Sequence, residues 1–200
     1  MDMPRLVLAS TSRYRAELLA RLGLPFETVA PRVDESPRPS ESPADVSVRL
    51  AIAKARAVAA GYSDALVIGS DQVADAEGRV IGKAGSHAAA AQQLVLLSGR
   101  TVVFHTGVAL VHARSGRCQS SRVDVTSRFR VLDPATIEAY LSREEPYDCA
   151  GSVKVEGLGI ALFEAVTSDD PTALIGLPLI TVASMLRREG IDVVAQTAAG

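Results

Sequence analysis

Apolar residues fall in two periods along this chain, one suited to strands and one to helices. Arg5 to Ala9 is a short apolar run leading into the polar triplet Ser10-Thr11-Ser12, and Leu18, Leu19 and Leu22 then fall at helical spacing within Arg15 to Leu22, closed by Gly23. The pattern predicts strand, polar turn, helix. A second strand is predicted over Phe26 to Ala30, opening into the polar loop RVDESPRPSES. Ser42-Pro43-Ala44-Asp45 next supplies an N-cap, a proline at the first helical position and an acid in the first turn, which predicts a long helix to about Ala60. Ala65-Leu66-Val67-Ile68-Gly69 reads as a fully apolar strand that stops at Ser70-Asp71-Gln72, and Glu77-Gly78 as the turn of a hairpin reaching Gly82-Lys83.

Further along, Ser86 to Leu97 is an alanine-rich helix, and two long strands, Thr101 to His112 and Arg117 to Val131, are joined by Ser115-Gly116. Asp133-Pro134 opens another helix to about Arg143, a glycine-rich stretch from Ala150 to Gly159 precedes a strand over Ile160 to Val166, and Pro178 to Glu189 forms a last helix stopped by Gly190. The long strand pair adds antiparallel content to a strand-helix alternation, so the expected class is α/β with a mixed sheet. With no repeat and no linker, 1–194 reads as one domain, and the tail after Val194 lacks an apolar face and is expected to fray.

Composition narrows the partners. A chain of 200 residues that is 48% hydrophobic can bury a substantial core. With 21 basic against 23 acidic residues, it has no global attraction to a nucleic acid polymer or an anionic membrane, so any phosphate chemistry must be local. No apolar run reaches transmembrane length, and a soluble, cytoplasmic protein is expected. Cys118 and Cys149 lack the spacing of a metal or redox motif and read as reduced, buried thiols; His87, His105 and His112 are scattered and read as packed or surface residues.

Four places could carry chemistry. In Ser10-Thr11-Ser12-Arg13-Tyr14-Arg15, hydroxyls and guanidinium groups surround a predicted helix N-terminus, where backbone N–H groups attract an anion. Taken alone, the segment favours an ordinary serine cap with solvated arginines. Asp34-Glu35 and Asp71 could together hold a hard divalent cation, since magnesium needs only two or three carboxylates when phosphate and water complete its shell. Asp71 serves equally well as a capping residue. Lys54 and Lys83 could neutralise phosphate charge, although a lone lysine on a helix is ordinarily solvated. Within CAGSVKVEGLG, Glu156 stands among glycines that let a ligand approach the backbone, and its carboxylate could accept hydrogen bonds from a guanine edge; the bland reading is a flexible connection.

The order of these signals resembles the Maf-like nucleotide pyrophosphatase family over nearly the whole chain, through LVLASTSRYRAELL, VDES, RLAIAKA, IGSDQV, the hairpin GK, CAGSVKVEGLG and GLPL. The resemblance implies a mixed α/β fold related to the inosine-triphosphate pyrophosphatase type, with two lobes around a cleft and usually a homodimer. It implies Asp71 as general base, Glu35 with Asp71 as ligands of a divalent metal cation (Mg2+, Mn2+ or Co2+), and Ser10, Arg15, Lys54 and Lys83 as phosphate-binding residues. Either Asp71 or Glu35 could be the microscopic base. The substrate would be a nucleoside triphosphate cut between its α and β phosphates.

Tyr14, Gln72 and Glu156 resemble the branch acting on 7-methyl-GTP and depart from the dTTP/UTP branch, which carries arginine, a GADT string and glutamine at those places. In the first branch tryptophan is usual where Tyr14 stands, but tyrosine still offers a stacking face. Two other readings compete. One is a pyrophosphatase for pyrimidine or other modified nucleotides; the other is a nucleotide-binding regulator of septum formation without important turnover, against which the intact Asp71, Glu35 and Lys83 speak.

Overall fold

In the computed structural model, which describes residues 4–195, two chemically different stretches of one sheet meet. The expected frayed tail, from residue 196 on, lies outside the described residues. β1 (Arg5–Ala9) pairs in parallel with β2 (Phe26–Thr28) on one side and with β3 (Ala65–Ala76) on the other. Beyond β3 the sheet turns antiparallel through β5 (Thr101–His112), β6 (Cys118–Phe129) and β7 (Phe163–Thr167), while β4 (Arg79–Ile81) folds back onto the end of β3. The order is β2-β1-β3-β5-β6-β7, the mixed sheet expected from the sequence.

Helices cover the sheet in two lobes. In the first, α1 (Arg13–Ala20) and α5 (Leu179–Arg188) bury Leu18, Val182 and Leu186 against Leu8 and Ile68. α2 (Pro43–Ala59) covers the opposite face through Ala51, Ala55 and Val58 against Val7, Val67 and Ala109. In the second lobe, α3 (His87–Leu97) and α4 (Pro134–Glu144) close a separate core around Phe104, Phe129 and Tyr140. The long strands β3 and β5 run through both.

The approach of α2 to the sheet is set by two glycines. A Cβ on Gly69 would lie 2.2 Å from the Ala51 carbonyl oxygen, and one on Gly107 would lie 2.2 Å from that of Ser47. Any side chain there would lift the helix off the sheet. The cap read from the sequence is present, with Ser42 Oγ accepting from the Asp45 N–H, and two further helices start the same way, Ser86 Oγ accepting from Ala89 and Asp133 Oδ1 from Thr136.

Several boundaries differ from expectation for identifiable reasons. α1 begins two residues earlier, at Arg13, because Ser12 caps it by accepting from the Arg15 N–H. β2 stops at Thr28. β3 does not stop at Ser70-Asp71-Gln72 but continues to Ala76, since each of those polar side chains finds a partner on one face or the other. The strand expected over Ile160 to Val166 is a 3-10 turn, Leu158–Leu162, followed by β7. A second 3-10 turn, Pro171–Ile175, had no sequence expectation. Cys118 and Cys149 are free thiols, as read, but both are only partly buried.

Candidate active site

The close packing of α2 brings a lysine to a carboxylate in mid-sheet. Lys54 lies on the buried face of α2, and its Nζ donates to Asp71 Oδ1 at 2.6 Å. Asp71 projects from β3 on the same side as Gly69, where the helix approaches most closely. A third group comes from the loop after β2: Glu35 Oε1 lies 3.0 Å from the same ammonium. Lys54 and Asp71 are 5% and 8% exposed, whereas the Glu35 side chain is 58% exposed, so one acid is fixed in the floor and the other stands at its rim. Asp34, its sequence neighbour, turns away and accepts from the Ser36 N–H at 2.9 Å, a bond that holds its carboxyl below the usual range.

On the opposite face of the sheet a strap of backbone carbonyls organises Arg15, Ser70 and Gln72. Arg15, in the first turn of α1, donates from Nε to the Gly176 carbonyl oxygen at 2.9 Å. Burial pulls its guanidinium below its ordinary value, and the fields of Asp71 and Glu35 oppose that pull. Gly176 sits at φ +118, which favours glycine, and a Cβ there would crowd Arg15 Nε at 3.3 Å. Ser70 Oγ lies 2.8 Å from the Gly107 carbonyl oxygen and 2.9 Å from that of Gly176. Buried Ser10 accepts from the Ser12 N–H at 3.0 Å, which shapes the turn into the helix N-terminus.

Gln72 belongs to this strap. Its Nε2 lies 2.9 Å from the Ala173 carbonyl oxygen, 3.0 Å from that of Leu174 and 3.1 Å from Thr106 Oγ1. The amide is therefore anchored to the second 3-10 turn. Thr106, which donates to the Ala173 carbonyl oxygen at 2.9 Å, and Asp170 complete the arrangement. Asp170 is 2% exposed; it accepts from Thr172 and also, at 2.8 Å, from the Ile180 N–H at the start of α5. Sequence reasoning missed Thr106 and Asp170, and held Gly176 only as the first residue of the GLPL string. An Asp-Pro pair followed by a glycine was the available signal of a capped turn.

Tyr14, Lys83 and Glu156 line the remaining side. Arg13 lies over the Tyr14 ring, 4.7 Å from its centroid, and donates to the phenol oxygen at 2.8 Å, so a cation already covers one face of the ring. Lys83 is exposed, forms a backbone bridge to Ala150, and makes no salt bridge among the described residues. Glu156 is exposed at the edge of a small recess of about 90 Å³ that also touches Tyr14, Gln72 and Lys83; partial desolvation pushes its carboxyl up. Cys149 borders the same recess, and burial together with neighbouring Asp148 pushes its thiol up to about 12.

That recess joins a larger cleft of about 770 Å³, large enough for a nucleotide. Ser10, Arg15, Glu35, Lys54, Asp71 and Lys83 all line the larger cleft, Tyr14 and Gln72 border both, and Glu156 borders only the recess. The residues singled out in the sequence thus converge on one continuous depression. Cationic groups and a helix N-terminus on its wall suit an anion, and the ammonium keeps the buried carboxylate fixed in orientation.

Comparison with known proteins gives the family. Residues 5–189 match the sequence family described as Maf-like protein. The chain is 55% identical to a 7-methyl-GTP pyrophosphatase of Thiobacillus denitrificans over 190 residues, covering 95% of this chain and 94% of the relative. It is 54% identical to one from Aromatoleum aromaticum over 191 residues, 96% and 98% of the two chains, and 53% identical to one from Albidiferax ferrireducens over 189 residues, 94% and 95%.

Proposed function

The chain belongs to the Maf-like protein family, and from that premise we propose that it is a nucleoside triphosphate pyrophosphatase that cleaves 7-methyl-GTP to 7-methyl-GMP and pyrophosphate. The observation that carries the reading is the Asp71–Lys54–Glu35 group in the floor of a cleft walled by Arg15 and Lys83. Asp71 accepts a proton from a water molecule while that water's oxygen forms a bond to the α phosphorus. The bond from the α phosphorus to the oxygen bridging to the β phosphate breaks, and pyrophosphate leaves with the electron pair. Lys54 keeps the Asp71 carboxylate oriented through their 2.6 Å bond. Arg15 and Lys83 offset the negative charge that grows on the leaving group.

A divalent cation (Mg2+, Mn2+ or Co2+) fits the same pair of acids. Asp71 and Glu35 present hard oxygen donors that already converge on one ammonium, and two carboxylates suffice when water and phosphate fill the other positions. When bound, such an ion polarises the phosphoryl oxygens and makes water more acidic. A cytoplasmic homodimer is part of the same reading and rests on the family resemblance.

Preference for 7-methyl-GTP is supported by the recess. An N7-methylated guanine carries positive charge, and Glu156 and the tyrosine ring both favour a cation, though Arg13 restricts the ring to its other face. The test is an early time point with magnesium and 7-methyl-GTP, GTP, dTTP or UTP. The expected first products are monophosphate and pyrophosphate, with the highest kcat/KM for 7-methyl-GTP. Orthophosphate as the sole first product, or dTTP hydrolysed as well as 7-methyl-GTP, overturns it.

A further inference from the structure

Glu156 stands near two cations, and each of them is held by another residue. Arg13 is engaged with Tyr14, as described. Lys154, two positions before Glu156 in the same loop, donates to Glu144 Oε2 at 2.8 Å. Glu144 is the last residue of α4, and its other oxygen, Oε1, accepts from the Leu158 N–H at 2.8 Å, so one carboxylate grips the loop on both sides of Glu156. Gly157 permits this grip, because a Cβ there would lie 2.5 Å from Glu144 Oε1. The ion pair is sheltered, with the Lys154 and Glu144 side chains 23% and 12% exposed. Glu156 itself makes no salt bridge among the described residues.

We propose that Glu144 is a positioning residue for base selection: by holding Lys154, it keeps the Glu156 carboxylate without an ion-pair partner, so that the cation it pairs with is the bound base. The inference rests on the reading of Glu156 given above. The Lys154 ammonium is close enough for its field to act on Glu156. Lysine is a compact charge on a flexible stem, and once released from Glu144 it has Glu156 as an acid within its own loop. A lysine paired there would cancel the charge and occupy the oxygens that a cationic purine needs. Neutral-base nucleotides would lose much less, so the change is one of discrimination.

The experiment compares wild type with Glu144→Gln, Lys154→Met and the double variant, reading kcat/KM for 7-methyl-GTP over that for GTP. The glutamine keeps an acceptor for the Leu158 N–H but gives up the ion pair. Discrimination is expected to fall about twofold to fivefold in Glu144→Gln, the size of a partly exposed ion pair, and to return in the double variant, which has no lysine to release. Discrimination unchanged in Glu144→Gln, or lost and not restored in the double variant, overturns the proposal; the second result would make Glu144 a loop brace only. Carbon NMR titration of Glu156 without nucleotide gives a separate readout. Its carboxyl pKa should drop in Glu144→Gln and recover in the double variant, and no drop overturns the proposal whatever the substrate. A wild type indifferent to N7 methylation instead defeats the substrate reading on which the proposal rests. Circular dichroism and thermal melts report the folding of each variant.

Discussion

The two sides of the cleft are built differently. The floor side, Asp71 with Lys54, rests on a strand and a helix pressed together at Gly69 and Gly107, and both side chains are almost wholly buried. The proposed base side, Tyr14 with Glu156, is carried by a helix start and by a partly buried loop on which Glu156 alone is exposed, held in place by Glu144 and by Tyr140, whose hydroxyl accepts from the Lys154 N–H at 2.9 Å. Bond-breaking needs a fixed geometry, which regular elements give; choosing among bases needs a surface that can vary without disturbing that geometry. Changes on the floor should therefore lower turnover of every nucleotide alike, and changes on the base side should reorder nucleotides.

The sharpest test of the floor is Asp71→Asn, which keeps the size and loses the basicity. Turnover should fall about 10²–10⁴-fold for all nucleotides, the range of a lost general base, with an unchanged circular dichroism spectrum. Near-wild-type rates would remove Asp71 from the reaction. Gly107→Ala should come next. Its Cβ would meet the Ser47 carbonyl oxygen at 2.2 Å, which is backbone and cannot swing aside. A loss of about 1–3 kcal/mol by urea denaturation is expected, again with equal loss of turnover on every substrate; unchanged stability would show that α2 can sit farther from the sheet.

Glu156→Gln tests the other side. It should lower kcat/KM for 7-methyl-GTP about tenfold, in the range of one charge-assisted hydrogen bond, and affect GTP less. Equal losses on both would erase the distinction between the two sides. The smallest effect concerns Cys149. Because its thiol is pushed up to about 12, it stays protonated at pH 8, and iodoacetamide should modify it roughly tenfold or more slowly than a free thiol, with the rate climbing as pH rises towards that value. Rapid alkylation at pH 8 would mean that the Cys149 thiol is open to solvent.

Much of the floor was readable in the sequence because its residues interrupt strong patterns. Asp71 follows an unbroken apolar run, and the helix bearing Lys54 announces itself with Ser42, Pro43 and Asp45. The length of β3 was not readable. Three polar residues after an apolar run ordinarily mark a strand's end, and here they do not, because Ser70 and Gln72 face the strap of carbonyls while Asp71 faces Lys54. Three consecutive polar residues look like a loop until their partners, from 17 to 106 residues away, are known. The same distance hid the role of Gln72, whose amide holds the turn at Ala173 and Leu174. Glu144 carried no signal either, since an acid at the last residue of a helix is ordinarily solvated and its two partners lie in the following loop.

The continuity of β3 and β5 has a mechanical consequence. Their ladder runs unbroken from Leu66 opposite His112 to Asp75 opposite Val103, passing beneath both cores. Swinging one lobe away from the other would shear that ladder, so the molecule has a keel where many cleft enzymes have a hinge. Nucleotide entry and pyrophosphate departure are then expected along the side walls, past the loops bearing Glu35 and Glu156, over a bed braced by the ladder.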